Sequence, residues 1–255
     1  MGEISYFAII TIIKFRIKEF FFEYNYTILA PLINTILFVI IFKTIENNYF
    51  IIIEDRSFIE FLVPGLILMM VAQESYDNVS VTIINMKQIG SFDNYLMAPI
   101  SRVEIFISLI ISSIIIGLFL GFIIYFILSF FINFEKIEIF FSIYYLILAI
   151  IFFTSLGSIT GFLSYTWDTQ STVSNFFVMP INLLSGTFFS INSLPESFKF
   201  LFYYNPYYYL VSNFRNSFYY DYVYDLHINL SIIFFVFIFL IFSCFIFFIG
   251  FKVIK

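Results

Sequence analysis

Charge is what this chain has least of: 11% of its 255 residues are Asp, Glu, Lys or Arg, where soluble domains carry about 25%. Cysteine occurs once, at Cys244, so neither a disulfide framework nor a paired-cysteine metal site can form. Histidine occurs once, at His227, which excludes a site built from several imidazoles. No GxxxxGK(S/T) loop is present, so the chain has no backbone cradle for ATP phosphates. The net charge of −5 excludes a nucleic-acid binder, which would present a basic face. Glu54–Asp55 is the nearest thing to an acidic pair. No other carboxylate joins it, so metal-bound diphosphate chemistry, as in a membrane transferase, has no support.

What fills the space is apolar: 62% of residues are hydrophobic and 24% aromatic, too much for one soluble core. Part of the aromatic excess, 41 Phe and 19 Tyr, reflects AT-rich codon usage. Codon bias does not make long charge-free runs, and such runs are here. A helix needs about 20 apolar residues to cross a bilayer. Six stretches qualify, near 27–44, 58–80, 104–131, 139–163, 171–190 and 228–251. The second is broken by Glu60, Glu74 and Asp77, but FLVPGLILMMVA is too apolar for a loop. The period-2 alternation of a β-barrel strand is missing, so the expected fold is an all-α membrane protein. It forms a single domain over 1–255, with 24–255 holding the six spans.

Residues 1–23 mix Phe and Ile with Lys14, Arg16, Lys18, Glu19 and Glu23. This is too charged to span and suits a helix lying in the interface. Lys and Arg gather on the cytoplasmic side of spanning proteins. With both termini inside, that side holds seven of them (Lys14, Arg16, Lys18, Lys87, Arg102, Lys252, Lys255) against five outside. Both termini are therefore expected in the cytoplasm.

Within the spans, Ser113, Gly117 and Gly121, and also Gly157 and Gly161, stand at four-residue spacing, which lets backbones approach closely. The pattern alone leaves packing within one chain and contact between two copies equally open. Gln73, Glu74, Asp77 and Asn78 cover one face of the second span. Counting from Phe58 sets Asp77 at the inner interface, which favours hydrated side chains over a proton relay. A short amphipathic helix is expected at 87–96, before Pro99, shaped to dock in a groove on another protein.

After the fifth span, FKFLFYYNPYYYLVSNFRNSFYY is apolar enough for the membrane, yet Asn205–Pro206 must interrupt any helix. Two short helices that enter the outer leaflet and return satisfy the pattern. Nine of the 19 tyrosines lie between Tyr203 and Tyr224, where a wet hydroxyl and a buried ring suit the interface better than a sugar-stacking surface.

Three passages taken in order, FLVPGLILMMVAQESYDNVS (61–80), NYLMAPISRVEI (94–105) and MPINLLSGTFFSINSLPESFKFLFYYNPYYYLVSNFR (179–215), resemble the ABC-2 type permeases of bacterial inner-membrane ABC transporters. The last carries that family's P-x-x-x-L-S-G-x-(F/Y)-(F/Y), Leu-Pro and Asn-Pro pattern on Pro180, Leu184, Ser185, Gly186, Phe188, Phe189, Leu194, Pro195, Asn205 and Pro206, followed by Tyr209 and Arg215. The resemblance implies a half-transporter, not an enzyme. It would pair with a second copy, and two separate ATPase subunits would bind the ATP, leaving this chain with no cofactor of its own. It also implies an ATPase-coupling helix at Asn94, Leu96, Ala98, Pro99 and Arg102, a lesser contact at Tyr165, Trp167 and Asp168, and a re-entrant gate from Gly186 to Arg215. The substrate class implied is amphipathic, lipid-linked or saccharide, moved outward. The competing reading, a stand-alone secondary carrier or channel, would need ion-pathway charges in several spans or inverted repeats. Only the second span has such charges.

Overall fold

The computed structural model describes residues 5–49, 52–53, 56–90, 97–132, 134, 137–219 and 225–253. Helix α1 (Tyr6–Phe22) runs through a π turn (Asn25–Leu29) into α2 (Ala30–Tyr49). A two-stranded hairpin, β1 (Ile52–Ile53) and β2 (Arg56–Ser57), leads to α3 (Phe58–Gln88). Then follow α4 (Arg102–Leu128), α5 (Ile139–Leu163), α6 (Trp167–Val173), a second π turn (Ser174–Val178) and α7 (Met179–Leu183). A 3-10 turn (Ile191–Ser193), α8 (Glu196–Tyr203), α9 (Pro206–Asn216) and α10 (Leu226–Val253) complete the fold.

Among the described residues, five helical segments are long and apolar enough to cross a membrane: Asn25–Asn48, Phe58–Gln88, Arg102–Leu128, Ile139–Leu163 and Leu226–Gly250. Helix α3 is the hub. It packs against α2, α4, α5 and α9 and is the most buried of the five, whereas α2 and α10 expose most of their surface. Its 31 residues extend about 46 Å at 1.5 Å each, well beyond a core of about 30 Å. Its last turns therefore project past the apolar layer.

Local sequence sets the helix starts. Ser57 with Glu60, Ser101 with Glu104, and Thr166 with Thr169 close reciprocal capping boxes on α3, α4 and α6, each worth about 1 kcal/mol. Both π turns stand two residues ahead of a proline, Pro31 and Pro180. A proline lacks the N–H of its turn and crowds the carbonyl four residues back, and a locally widened turn accommodates it.

The small residues pack within the chain. A Cβ on Gly157 would lie 2.5 Å from the Tyr76 carbonyl oxygen, and one on Gly161 would lie 3.1 Å from that of Ser80. Gly117 and Gly121 admit Ile150 and Leu146 in the same way, joining α4 to α5. Gly157→Val should therefore separate α3 from α5. The expected cost is about 2–3 kcal/mol of overpacking, read as a lower unfolding midpoint of the purified protein. Gly157→Ala should cost less, and an unchanged midpoint in both variants would contradict this contact.

Two expected boundaries shift. The stretch near 171–190 is helical only to Leu183, because the chain turns at Leu184–Ser185 and Gly186 adopts φ +76°. The seventeen helical residues from Trp167 to Leu183 cover about 25 Å. Lys87 and Gln88 belong to the last turn of α3 rather than to a separate helix at 87–96, and Gly90, at φ +72°, follows that end. Lys87 Nζ donates to the carbonyls of Gly161, Phe162 and Ser164 at 2.6–3.0 Å. These are carbonyls that the end of α5 leaves open, and a cation there also suits the helix dipole. Residues 91–96 of that expected helix, including Asn94 and Leu96, lie outside the described residues.

Candidate functional site

The polar face of α3 meets the 167–183 helix in a seam of side-chain amides. Gln73 Nε2 donates to Asp77 Oδ2 (2.9 Å) and to Ser174 Oγ (3.1 Å). Gln170 Nε2 donates to Asp77 Oδ1 and Ser80 Oγ (both 3.0 Å), and Asn182 Nδ2 to Gln73 Oε1 (3.1 Å). The expectation of simply hydrated side chains thus changes for Gln73 and Asp77, which bind a neighbouring helix. Each such bond between membrane helices contributes about 0.6 kcal/mol on average, so the seam sets register more than it adds stability.

Glu74 lies one step around the helix, in a polar cavity of about 280 Å³ shared with Arg16, Glu19, Glu23 and Asn78. Arg16, buried at 5% exposure, bonds Glu19 Oε2 and donates from Nη2 to Asn78 Oδ1 (2.8 Å) and Asn78 O (3.1 Å). Helix α1 is therefore bound to α3 by a charged residue. It also packs Ile12 and Phe20 inward while leaving Phe7, Phe15, Lys14 and Lys18 exposed. Glu104, 2% exposed, accepts from the backbone N–H of Ser5 (2.5 Å) and of Ser101 (2.6 Å), fixing the start of α1 to the start of α4.

The described parts of both expected coupling segments, Ala98–Arg102 and Tyr165–Asp168, come to one end of the bundle. The end of α3, the start of α4, the end of α5 and the start of α6 all lie there. Trp167 Nε1 donates to Asn85 Oδ1 (2.9 Å), and Gln88 Nε2 donates to the Tyr165 carbonyl (3.0 Å). Arg102 Nη1 reaches the Phe248 carbonyl of α10 (3.4 Å). Met97, Pro99, Tyr165 and Asp168 are exposed at this end, with Ala98 half-buried. Sequence reasoning did not anticipate Asn85 and Gln88, which tie the second segment, Tyr165–Asp168, to α3.

At the opposite end, the chain from Gly186 to Tyr219 is held by buried polar bonds. Asn205 Nδ2 donates to the carbonyls of Ile181 and Leu184 (both 2.9 Å), and its Oδ1 accepts from Tyr207 N (3.1 Å). One side chain therefore caps the end of α7 and the start of α9, where Pro206 needs no N–H partner. Asn205→Ala should lose both, about 2 kcal/mol in total. Asn205→Asp, which keeps the acceptor but sets a carboxylate oxygen against the two carbonyls, should recover none of that midpoint loss. Equal midpoints for Asn205→Ala and the parent would refute the double cap.

Pro64 inside α3 removes the N–H that would have met the Glu60 carbonyl. The Tyr219 hydroxyl donates to that carbonyl instead. One residue on, Arg215 Nε donates to the Phe61 carbonyl (2.8 Å) and Nη2 to that of Gly186 (2.6 Å), with the guanidinium 3.7 Å from the Phe61 ring centroid. Phe188 contacts Phe38 and Phe42 of α2, and Phe189 contacts Phe202 of α8. Tyr209 donates its hydroxyl to the Tyr203 carbonyl (3.2 Å), while Pro195 stands, exposed, at the N-cap position of α8. A proline in an apolar helix was the signal for this anchor, since the carbonyl it frees must find a donor.

Long apolar helices, a polar seam between two of them and a cluster of loop residues at one end define a multi-span membrane subunit. The chain belongs to the ABC-2 type transporter family, whose model matches residues 8–219. It is thus a transmembrane subunit of an ABC transport system, a family associated with an ATP-binding cassette component. Among its relatives is the inner membrane transport permease YadH of Escherichia coli K12, 28% identical over 192 residues and 75% of each chain. The protein of the same name from Shigella flexneri matches equally.

Proposed function

We propose that this chain is the permease half of an exporter in a bacterial inner membrane, paired with a second copy and driven by two ATPase subunits. The observation that carries the reading is the convergence of Ala98–Arg102 and Tyr165–Asp168 at one end, the second joined to α3 through Asn85 and Gln88 and the first leading into α4, whose Ile105 and Phe106 cluster with Ile83 and Met86 of α3. A push on either segment reaches the same long helix. ATP-driven closure of the ATPases would move α3 and the 167–183 helix together as a rigid unit, held in register by the Gln73–Asp77–Gln170 bonds.

On this reading both termini face the cytoplasm, and the 167–183 helix with the turn after it forms a sixth crossing. Helices α8 and α9 form a re-entrant hairpin that gates the outer leaflet. Their irregular connection is tolerable at that depth because protein covers it, as Arg215 and Asn205 do. An amphipathic, lipid-linked or saccharide substrate fits a wall built mainly of Phe, Ile and Leu.

The test is reconstitution. The purified permease should hydrolyse no ATP, and its complex with the cognate ATPase should do so and move substrate outward. ATP turnover by the permease alone would refute the reading. Topology is checked by thiol labelling at Ser193→Cys, which is exposed and should label from outside. Ser217 is unsuitable, because its hydroxyl is buried 2.7 Å from that of Ser142.

A further inference from the structure

Between α3, α4, α5 and α9 lies a cavity of about 570 Å³, within the range of about 300–1,000 Å³ that holds small ligands. Its floor is fully apolar and deep: Ile67, Leu146 and Phe214 are all buried. Its rim is open, with Phe122 and Ile139 each about two-thirds exposed. The cavity is separate from the Arg16 cavity, the coupling end and the α3–α6 seam.

Its position fixes the solvent it meets. It extends from the α4–α5 connection inward to Leu118, ten residues before the end of α4 at Leu128. Ten residues of helix span about 15 Å, half of a hydrocarbon core of about 30 Å. The cavity is therefore one leaflet deep and begins where headgroups meet hydrocarbon. Water has almost no polar partners on these walls and needs two to four, and an empty space of this size forfeits the contacts of its lining. At the headgroup end stands Tyr125, which lines the cavity and whose hydroxyl makes no hydrogen bond to the described residues. Tyrosine at that depth suits a glycerol ester, with ring buried and hydroxyl outward.

We propose that this cavity is a resident-lipid site: one phospholipid acyl chain from the leaflet at the α4–α5 connection fills it, and Tyr125 donates to the ester at the chain's head. The proposal rests on the chain spanning a bilayer and is independent of which substrate is exported. The bound chain packs against Ile67 of α3 and Phe214 of α9 together, so it supports the segment that Arg215 anchors.

The test uses the full permease–ATPase complex in proteoliposomes containing phosphatidylethanolamine with a diazirine midway along one acyl chain. After irradiation, peptide mapping should place adducts on α4 and α5 cavity positions at least tenfold above those on Phe237 and Phe242, exposed positions of α10. Narrowing the space with Leu118→Trp, or with Ile143→Trp at the exposed rim should one variant fold poorly, should lower cavity labelling at least twofold relative to α10. Labelling of the cavity no denser than of α10 would overturn the proposal. So would loss of the cavity adducts when the lipid is exposed to ATP turnover before irradiation, since that would make the chain cargo rather than resident.

Discussion

Arg215→Ala is expected to destabilise the protein by about 3 kcal/mol, lowering its unfolding midpoint by roughly 6 °C in a calorimetric or fluorescence melt. The side chain is 5% exposed and donates to the carbonyls of Phe61 and Gly186. Each carbonyl left without a donor in an apolar setting costs about 1–3 kcal/mol, and the stack on Phe61 adds roughly 1 kcal/mol. Release of a buried guanidinium to water offsets part of this, which is why the net is set below the sum. Arg215→Lys keeps the charge but not the planar fork that reaches two carbonyls while lying on a ring, and should recover less than half. Tyr219→Phe, which loses the bond to the Glu60 carbonyl, should cost about 1 kcal/mol. If Arg215→Ala melts with the parent, the hairpin is not anchored as described.

Pro99→Glu is expected to weaken ATPase association at least tenfold in co-purification or titration, while the permease still inserts and melts normally. Pro99 is exposed and sits in the connection between α3 and the Ser101 cap of α4, so its substitution touches no buried contact. A carboxylate placed in an apolar groove of the partner must lose water without gaining a cation, a cost of at least a few kcal/mol. A tenfold loss corresponds to about 1.4 kcal/mol, a conservative floor. Leu96→Glu should act in the same direction. Unchanged association in both would remove this connection from the ATPase contact.

The five long helices were legible because charges bracket them: Glu104 opens α4 and Glu138 precedes α5. The capping boxes Ser57–Glu60 and Ser101–Glu104 were not anticipated, although their residues stand three apart. The break at Asn205–Pro206 followed from proline chemistry alone, and α8 and α9 part there. The end of the 167–183 helix was less visible. The residues to Ser190 remain apolar, and the stop depends on Gly186 at positive φ and on Asn205, 24 residues away, capping Ile181. Partners distant in sequence were hidden for the same reason. Asp77 and Gln170 lie 93 residues apart, and Arg215 and Phe61 lie 154 apart. Four-residue spacing showed that Gly157 needs a close neighbour, but only the fold shows that neighbour to be the Tyr76 carbonyl.

The central claim, that ATP is coupled to transport through the end bearing Ala98–Arg102 and Tyr165–Asp168, is tested most directly by site-specific crosslinking. Single cysteines at Ala98, Tyr165 and Ser193, in a background with Cys244 replaced, would each be given a short bifunctional linker in the assembled complex. The account predicts crosslinks to the ATPase from Ala98 and Tyr165 and none from Ser193, at the opposite end. Crosslinks from Ser193, or none from both Ala98 and Tyr165, would contradict it.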